Sequence, residues 1–327
     1  MLKKMIPGAR NALDVVLGLQ KNETVLVITD QPKNVIGQAF HQAAGELGAK
    51  AAMYTLPQDQ RPFTDIPSDL LPLLTGTDVI LNVFEGIAEE TPFRIKLVKK
   101  EISESARVGH CPGITDQMMT QGPMTADYKA IAKDVDALIA KFDNAASVHI
   151  TAPAGTDLVM NIRGRGFDTD VRIGRGKMGN LPAGEIWCAP VEDGANGVMV
   201  VDGSIGNIGN VPAPLKVTIE NGKIASLESE DKDFQKRITE LCAVDQWASV
   251  VGELGIGLNP RARLVGIMLE DEKAGETAHI AFGNNQEMPG GQNPSKTHRD
   301  FLFYKPTIVV SYTNGSARTL LRDGKMV

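Results

Sequence analysis

The sequence predicts an α/β chain of two domains, a mostly parallel sheet covered by helices followed by a β-rich domain. Three observations carry that prediction. Strand and helix signals alternate through residues 1–145, and β-type segments broken by Gly and Pro replace them over residues 146–327. The length of 327 residues, at roughly 150 per domain, also suits two domains.

In the first domain, residues 25–30 form a short apolar run that ends in a turn. Residues 34–47 follow with Val35, Ile36, Ala39, Phe40, Ala43, Ala44 and Leu47 at helical spacing, and Gly48 is placed to end that helix. A second strand is expected over 51–56, a third over 78–84 after a Pro-rich loop, and a fourth over 106–110. Helices are expected over 92–105 and about 125–144. Strands separated by helices favour parallel pairing, because a parallel connection needs a crossover.

In the second domain, residues 148–151, 157–162 and 198–202 are short β-type segments. Asn221-Gly222 between alternating runs at 216–227 is a strong hairpin signal, and Asn314-Gly315 marks another near the C-terminal end. Residues 231–241 form the one clear helix of this half. The spaced glycines of 203–209 precede no strand–helix unit, so they indicate a tight β-turn and not a dinucleotide loop.

Composition narrows the function. Hydrophobic residues make up 42% and charged residues 23%, an ordinary globular mix. The formal net charge of -6 gives no reason to expect nucleic acid or an anionic membrane as a partner. No apolar run approaches the roughly 20 residues that span a bilayer, and no signal-peptide core precedes Pro7. Cys111, Cys188 and Cys242 are scattered and odd in number, which argues against a disulfide framework and for a reducing, cytoplasmic setting. None belongs to a CxxC pair, which argues against a thiolate zinc site.

The chemistry-bearing residues gather in the second domain. His298 and Asp300 are two residues apart, and on a strand positions i and i+2 share a face, so both heads can reach one ion. Glu185, Glu253 and His279 also lie beside turn-forming residues in this half. Two imidazoles and three carboxylates suit one or two first-row divalent ions, and a carboxylate can bridge ions about 3.5–4 Å apart. A single His or Glu beside a Gly-rich turn is usually just solvated, and it is the company of five that marks these.

The segments around Glu185 (180–197), Glu253 (252–257), His279 (271–283) and His298–Asp300 (295–300) occur in an order that resembles the thermophilic metallo-aminopeptidases, the aminopeptidase T and aminopeptidase S group. Residues 107–115 also resemble that family, and the likeness is dense from about 180 to 300. The resemblance implies a dinuclear centre with Glu185, Glu253, His279, His298 and Asp300 as ligands. It also implies one or two Zn, Co or Mn ions per chain, a short peptide or small amide as substrate, and a homodimer. Gln286 stands where the family's catalytic tyrosine is expected, and the chain is shorter than the family between His279 and His298.

A sister group of the same fold, the 2,5-dihydroxypyridine dioxygenases, gives the alternative of a mononuclear Fe(II) centre that opens a ring. His298 and Asp300 match two of its ligands, and Glu253 falls at the third. In that reading His110 supplies a base from the first domain, so Glu253 and His110 are the candidate catalytic residues. A metal-binding protein without catalysis is the third possibility. Glu192, Asp193, Glu270, Asp271 and Glu272 are candidate proton relays, although solvated loop acids are commoner. Arg299 is expected to face away from the ligands, in a surface or interface salt bridge.

Overall fold

The computed structural model describes residues 1–327. It divides the chain into two compact units, residues 1–132 with 170–184, and residues 133–169 with 185–327. The expected single boundary at 145/146 therefore becomes a discontinuous one. The reason is local: Lys177–Asn180, far along the chain, pairs in parallel with Arg107–His110 and completes the sheet of the first unit. The helix Tyr128–Ala140 carries the chain across the division.

The first unit is built on five parallel strands in the order Lys50–Thr55, Thr24–Thr29, Val79–Val83, Arg107–His110 and Lys177–Asn180. The helices Asn34–Glu46 and Thr91–Ser103 match the expected spans within two residues. Leu26, Ile28, Ile80, Val108, Phe84, Phe93 and Leu97 are buried together in its core. Fully burying such side chains is worth roughly 1.5–3 kcal/mol each.

An N-terminal helix, Leu2–Asn11, continued by a π-turn over Ala12–Val16, was not legible in advance. It buries Met5, Gly8, Ala9, Ala12, Leu13 and Val16 at helical spacing, but Pro7 interrupts the pattern in the sequence.

The second unit holds two antiparallel sheets. One has eight strands in the order Lys223–Ser229, Leu215–Glu220, Ala195–Val201, Asp157–Asn161, Ala145–Thr151, Thr307–Tyr312, Ala317–Arg322 and Lys325–Met326. Its Asn221-Gly222 turn has φ of 48° and 74°, the left-handed pair that a two-residue hairpin with the native strand twist requires. The other has seven strands in the order Gly209–Asn210, Ser204–Ile205, His298–Tyr304, Thr277–Gly283, Val251–Gly257, Glu185–Cys188 and Asp168–Thr169. Residues 203–209 form the turn-rich edge of this sheet, as their glycines suggest.

Candidate metal centre

Four central strands of the seven-stranded sheet explain the placement of the site. Antiparallel pairing puts Glu253 opposite Ala281 and Ala281 opposite Asp300. It puts Gly255 opposite His279, Gly257 opposite Glu185, and Gly283 opposite His298. Paired residues share a face, and positions two apart share it as well, so Glu185, Glu253, His279, His298 and Asp300 all project from one side. The other side carries Ile186, Leu254, Ile256, Ile280, Phe301 and Phe303, all buried. One face thus anchors the sheet in the core while Gly and Ala on the other leave room for large polar heads.

Gly255 shows how tight that room is. A Cβ added there would lie 1.9 Å from His279 Nε2, so the imidazole can lie across this strand only over a glycine.

The polar heads converge. Ligand atoms of Glu253, His279 and Asp300 lie within 4.8 Å of one another. His279 Nε2 is 3.3 Å from Glu253 Oε1 and 3.6 Å from Glu185 Oε2. His298 Nε2 is 3.0 Å from Glu253 Oε2 and 3.3 Å from Asp300 Oδ1. His279, Glu253 and Asp300 are buried, and the His298 side chain keeps 33% of its exposure, which leaves the cluster reachable from solvent.

The electrostatics are those of a cation site. Burial opposes the charge on Glu253, but hydrogen bonds to His279 and His298 hold its carboxyl far below the usual range. Burial likewise opposes Asp300, and the neighbouring His298 charge overcomes it. For both histidines burial disfavours protonation. The adjacent carboxylates outweigh it, through Glu253 first at His279 and Asp300 first at His298. Buried carboxylates crowded this closely need positive charge among them.

The donor set fits a divalent ion. His298 Nδ1 lies 2.7 Å from the Asn284 carbonyl, which can only accept, so Nδ1 carries a proton, and Nε2, which donates to the carboxylates here, is the nitrogen that would ligate an ion on giving up its proton. Two imidazoles and two carboxylates around one point are a set that suits Zn, Mn, Co or Fe.

The family model for the thermophilic metalloprotease (M29) matches residues 117–326, a stretch that contains every one of these side chains. The chain belongs to this family. Aminopeptidase AmpS of Bacillus subtilis is 26% identical over 269 residues, covering 74% of this chain and 62% of the relative. The M29 chain thus spans less than two thirds of that relative's length. Among solved structures, a 2,5-dihydroxypyridine dioxygenase from Pseudomonas putida superposes with a TM-score of 0.76 at 17% identity, covering 100% of this chain and 98% of the other. Wild-type AmpT from Thermus thermophilus superposes with a TM-score of 0.70 at 17% identity, covering 99% of each chain. The α/β architecture with a β-rich second half is therefore shared by both structures.

The remaining residues of the M29 chain divide clearly. His110, in the first unit, ends the strand Arg107–His110 and is buried, and its Nδ1 faces the Asn82 amide nitrogen at 3.2 Å. An amide N–H donates, so the neutral ring carries its proton on Nε2, and burial with the nearby Arg94 charge pushes its pKa down to about 3. His110 therefore presents an N–H donor from Nε2, where the sequence suggested a base.

Of the five candidate relay acids, Glu192 pairs with Arg165, and Asp193 is exposed. Glu270 accepts from the Arg263 backbone N–H, and Asp271 from those of Val265 and Gly266. Only Glu272 points toward the ligand cluster, where Asp300 contributes, after burial, to raising its pKa. Arg299 faces away from the ligands as expected, but it is buried and donates to the Gly206 carbonyl instead of lying in a surface ion pair. Gln286 is exposed in the turn after Gly283. Cys111 and Cys188 are buried, and burial drives both thiols far up, so neither is a nucleophile.

One residue was missed altogether. Lys273 is fully buried, and its Nζ donates to Glu185 Oε1 and to Glu272 Oε1. A lysine beside two acids in an Asp-Glu-Lys run normally signals a solvated loop. The only hint was its position just ahead of the His279 strand.

Proposed function

We propose that the chain is a metal-dependent aminopeptidase that removes N-terminal residues from short peptides. The observation that carries this reading is the convergence of Glu253, His279, His298 and Asp300 on one face of a sheet, in a chain of the M29 family. The names of AmpS and AmpT support the activity.

Glu253, His279, His298 and Asp300 would hold a divalent ion, and Glu185 lies outside this set, beside His279. Such an ion supplies Lewis acidity and lowers the pKa of a bound water from 15.7 to about 7. The residues of the chain do the rest. The Asn284 carbonyl fixes the His298 tautomer, and Gly255 gives His279 its place. Glu253, with both oxygens facing imidazoles at the centre of the cluster, would hold the ion and orient both histidines around it. The negative face attracts a free, protonated α-amino group, which is what distinguishes an N-terminal residue from an internal one.

Zn, Co or Mn is the proposed metal, and a cytoplasmic homodimer the proposed form. Three free, buried cysteines accord with a reducing setting, and no helix is long and apolar enough to cross a membrane. The Fe(II) dioxygenase reading is not favoured. Its support is likeness of fold at 17% identity, and two carboxylates with two imidazoles depart from a two-His-one-carboxylate triad.

The test is release of the N-terminal residue from a panel of short peptides by protein stripped with chelator and reloaded with Zn, Co or Mn. Release from free peptides and none from N-acetylated ones is the expected result. An ion-loaded protein that releases nothing from either panel would contradict the proposal.

A further inference from the structure

We infer that the Lys273 ammonium occupies the place of a second cation, so that the centre binds one divalent ion per chain. The inference rests on the proposed metal reading and deepens it. A lysine is almost never fully buried unless its charge is paired, yet Lys273 has no exposed surface. Its pairing is directed at the site. Nζ donates to Glu185 Oε1 and, at 2.5 Å, to Glu272 Oε1. Glu185 then turns its other oxygen, Oε2, to within 3.6 Å of His279 Nε2. One carboxylate thus links the ammonium to the imidazole, in the way a bridging carboxylate links two ions.

The donors fall into two groups. Glu253, His279, His298 and Asp300 surround one another, while Glu185 and Glu272 flank the ammonium. The backbone fixes Lys273 in this place, since its carbonyl accepts from the Asn259 N–H at 2.8 Å and its own N–H donates to the Glu270 carbonyl at 3.1 Å. Four carboxylates, one ammonium and one divalent ion leave a single net negative charge. A second divalent ion would make the cluster net positive and would stand beside a fixed ammonium in a medium of low dielectric. Lysine also carries one positive charge on a short-range, tetrahedral head that cannot bind water and acidify it as a divalent ion does. The second position therefore balances charge and holds Glu185, and it supplies no Lewis acid.

The experiment is metal counting by plasma mass spectrometry after equilibrium dialysis against Zn, Co and Mn in separate runs, on the full chain. Wild type is expected to hold one ion, and Lys273→Met, which removes the charge and keeps the length, is expected to hold two. A second variant guards against misfolding of the first. Glu185→Gln is expected to keep one ion, with its dissociation constant changed less than about threefold, because Glu185 serves the ammonium. Two ions in wild type, one ion in folded Lys273→Met, or loss of the ion in Glu185→Gln would each overturn the inference. Two ions in wild type would leave the metal reading standing, whereas no ion with any of the three metals would sink both.

Discussion

His298 Nδ1 sits 2.7 Å from the main-chain carbonyl of Asn284, and this contact sets the chemistry of the opposite ring nitrogen. Because a carbonyl only accepts, Nδ1 must hold a proton, and Nε2, facing Glu253 and Asp300, is the nitrogen left to exchange its own proton for an ion. The imidazole is oriented by a backbone atom, which no side-chain substitution at Asn284 removes directly.

His298→Ala is therefore expected to weaken ion binding by more than about 100-fold, since loss of a ligand exceeds the roughly 10–100-fold cost of losing an outer partner. The melting temperature should become insensitive to added metal. In wild type a metal concentration of about 100 times Kd is expected to add about 2.7 kcal/mol of stability. Titration followed by differential scanning calorimetry reads both effects, and a metal-dependent transition retained in the variant would contradict the assignment.

Gly255→Ala tests the packing beneath His279. The new Cβ would lie 1.9 Å from Nε2, so the ring must move. The expected outcome is a loss of metal affinity greater than tenfold with a stability cost of about 1–3 kcal/mol from overpacking. Calorimetric metal titration checks it, and unchanged affinity would show that His279 is not held over Gly255.

In the first unit the Arg61 guanidinium bonds Asp30 at 2.5 Å and Glu90 at 2.6 and 2.9 Å, and all three side chains are buried. Removing one partner strands buried charge. Arg61→Ala should cost about 3–5 kcal/mol in urea unfolding. Arg61→Lys should recover only part of that loss, because an ammonium cannot reproduce the fork to Glu90.

Two buried groups of the first unit shape the dependence of stability on pH. Burial pushes Glu101 up to about 8, partly offset by the Asn82 amide, and burial with Arg94 pushes His110 down to about 3. A raised carboxyl favours the folded state below its unfolded value near 4.5, and that contribution fades as pH rises through about 8. A lowered imidazole favours the folded state above 6.5, and that contribution fades as pH falls through about 3. The two slopes oppose one another between 4.5 and 6.5, where these groups leave stability nearly flat. Glu101→Gln should remove up to a few kcal/mol of the loss toward pH 8, uncover the rise due to His110 between 4.5 and 6.5, and leave stability below 4.5 unchanged, as measured by urea unfolding across pH. An unchanged alkaline slope would contradict the burial of an uncharged Glu101.

Much of this molecule was legible because its information is periodic. The parallel strands of the first unit are apolar runs between helices, and the two-residue spacing of His298 and Asp300 places both on one face of a strand. Glu185, Glu253 and His279 were singled out by the order of their segments. The site strands themselves were harder to read, because Val251–Gly257 and Thr277–Gly283 alternate apolar residues with glycine and alanine that make room for the heads. The discontinuous first unit was hidden because Lys177–Asn180 contains no β-branched or aromatic residue, and its pairing comes from tertiary context. Pro7 masked the N-terminal helix. Lys273 was hidden for a deeper reason, since charge in a sequence signals solvent unless its partners are known.

Anomalous diffraction at the metal edge, from crystals grown with a single added metal, measures the central claim directly. The account predicts a peak about 2.0–2.2 Å from His279 Nε2, His298 Nε2 and oxygens of Glu253 and Asp300. A peak ligated by other residues, or no peak at this cluster in protein shown by mass spectrometry to carry the ion, would contradict it.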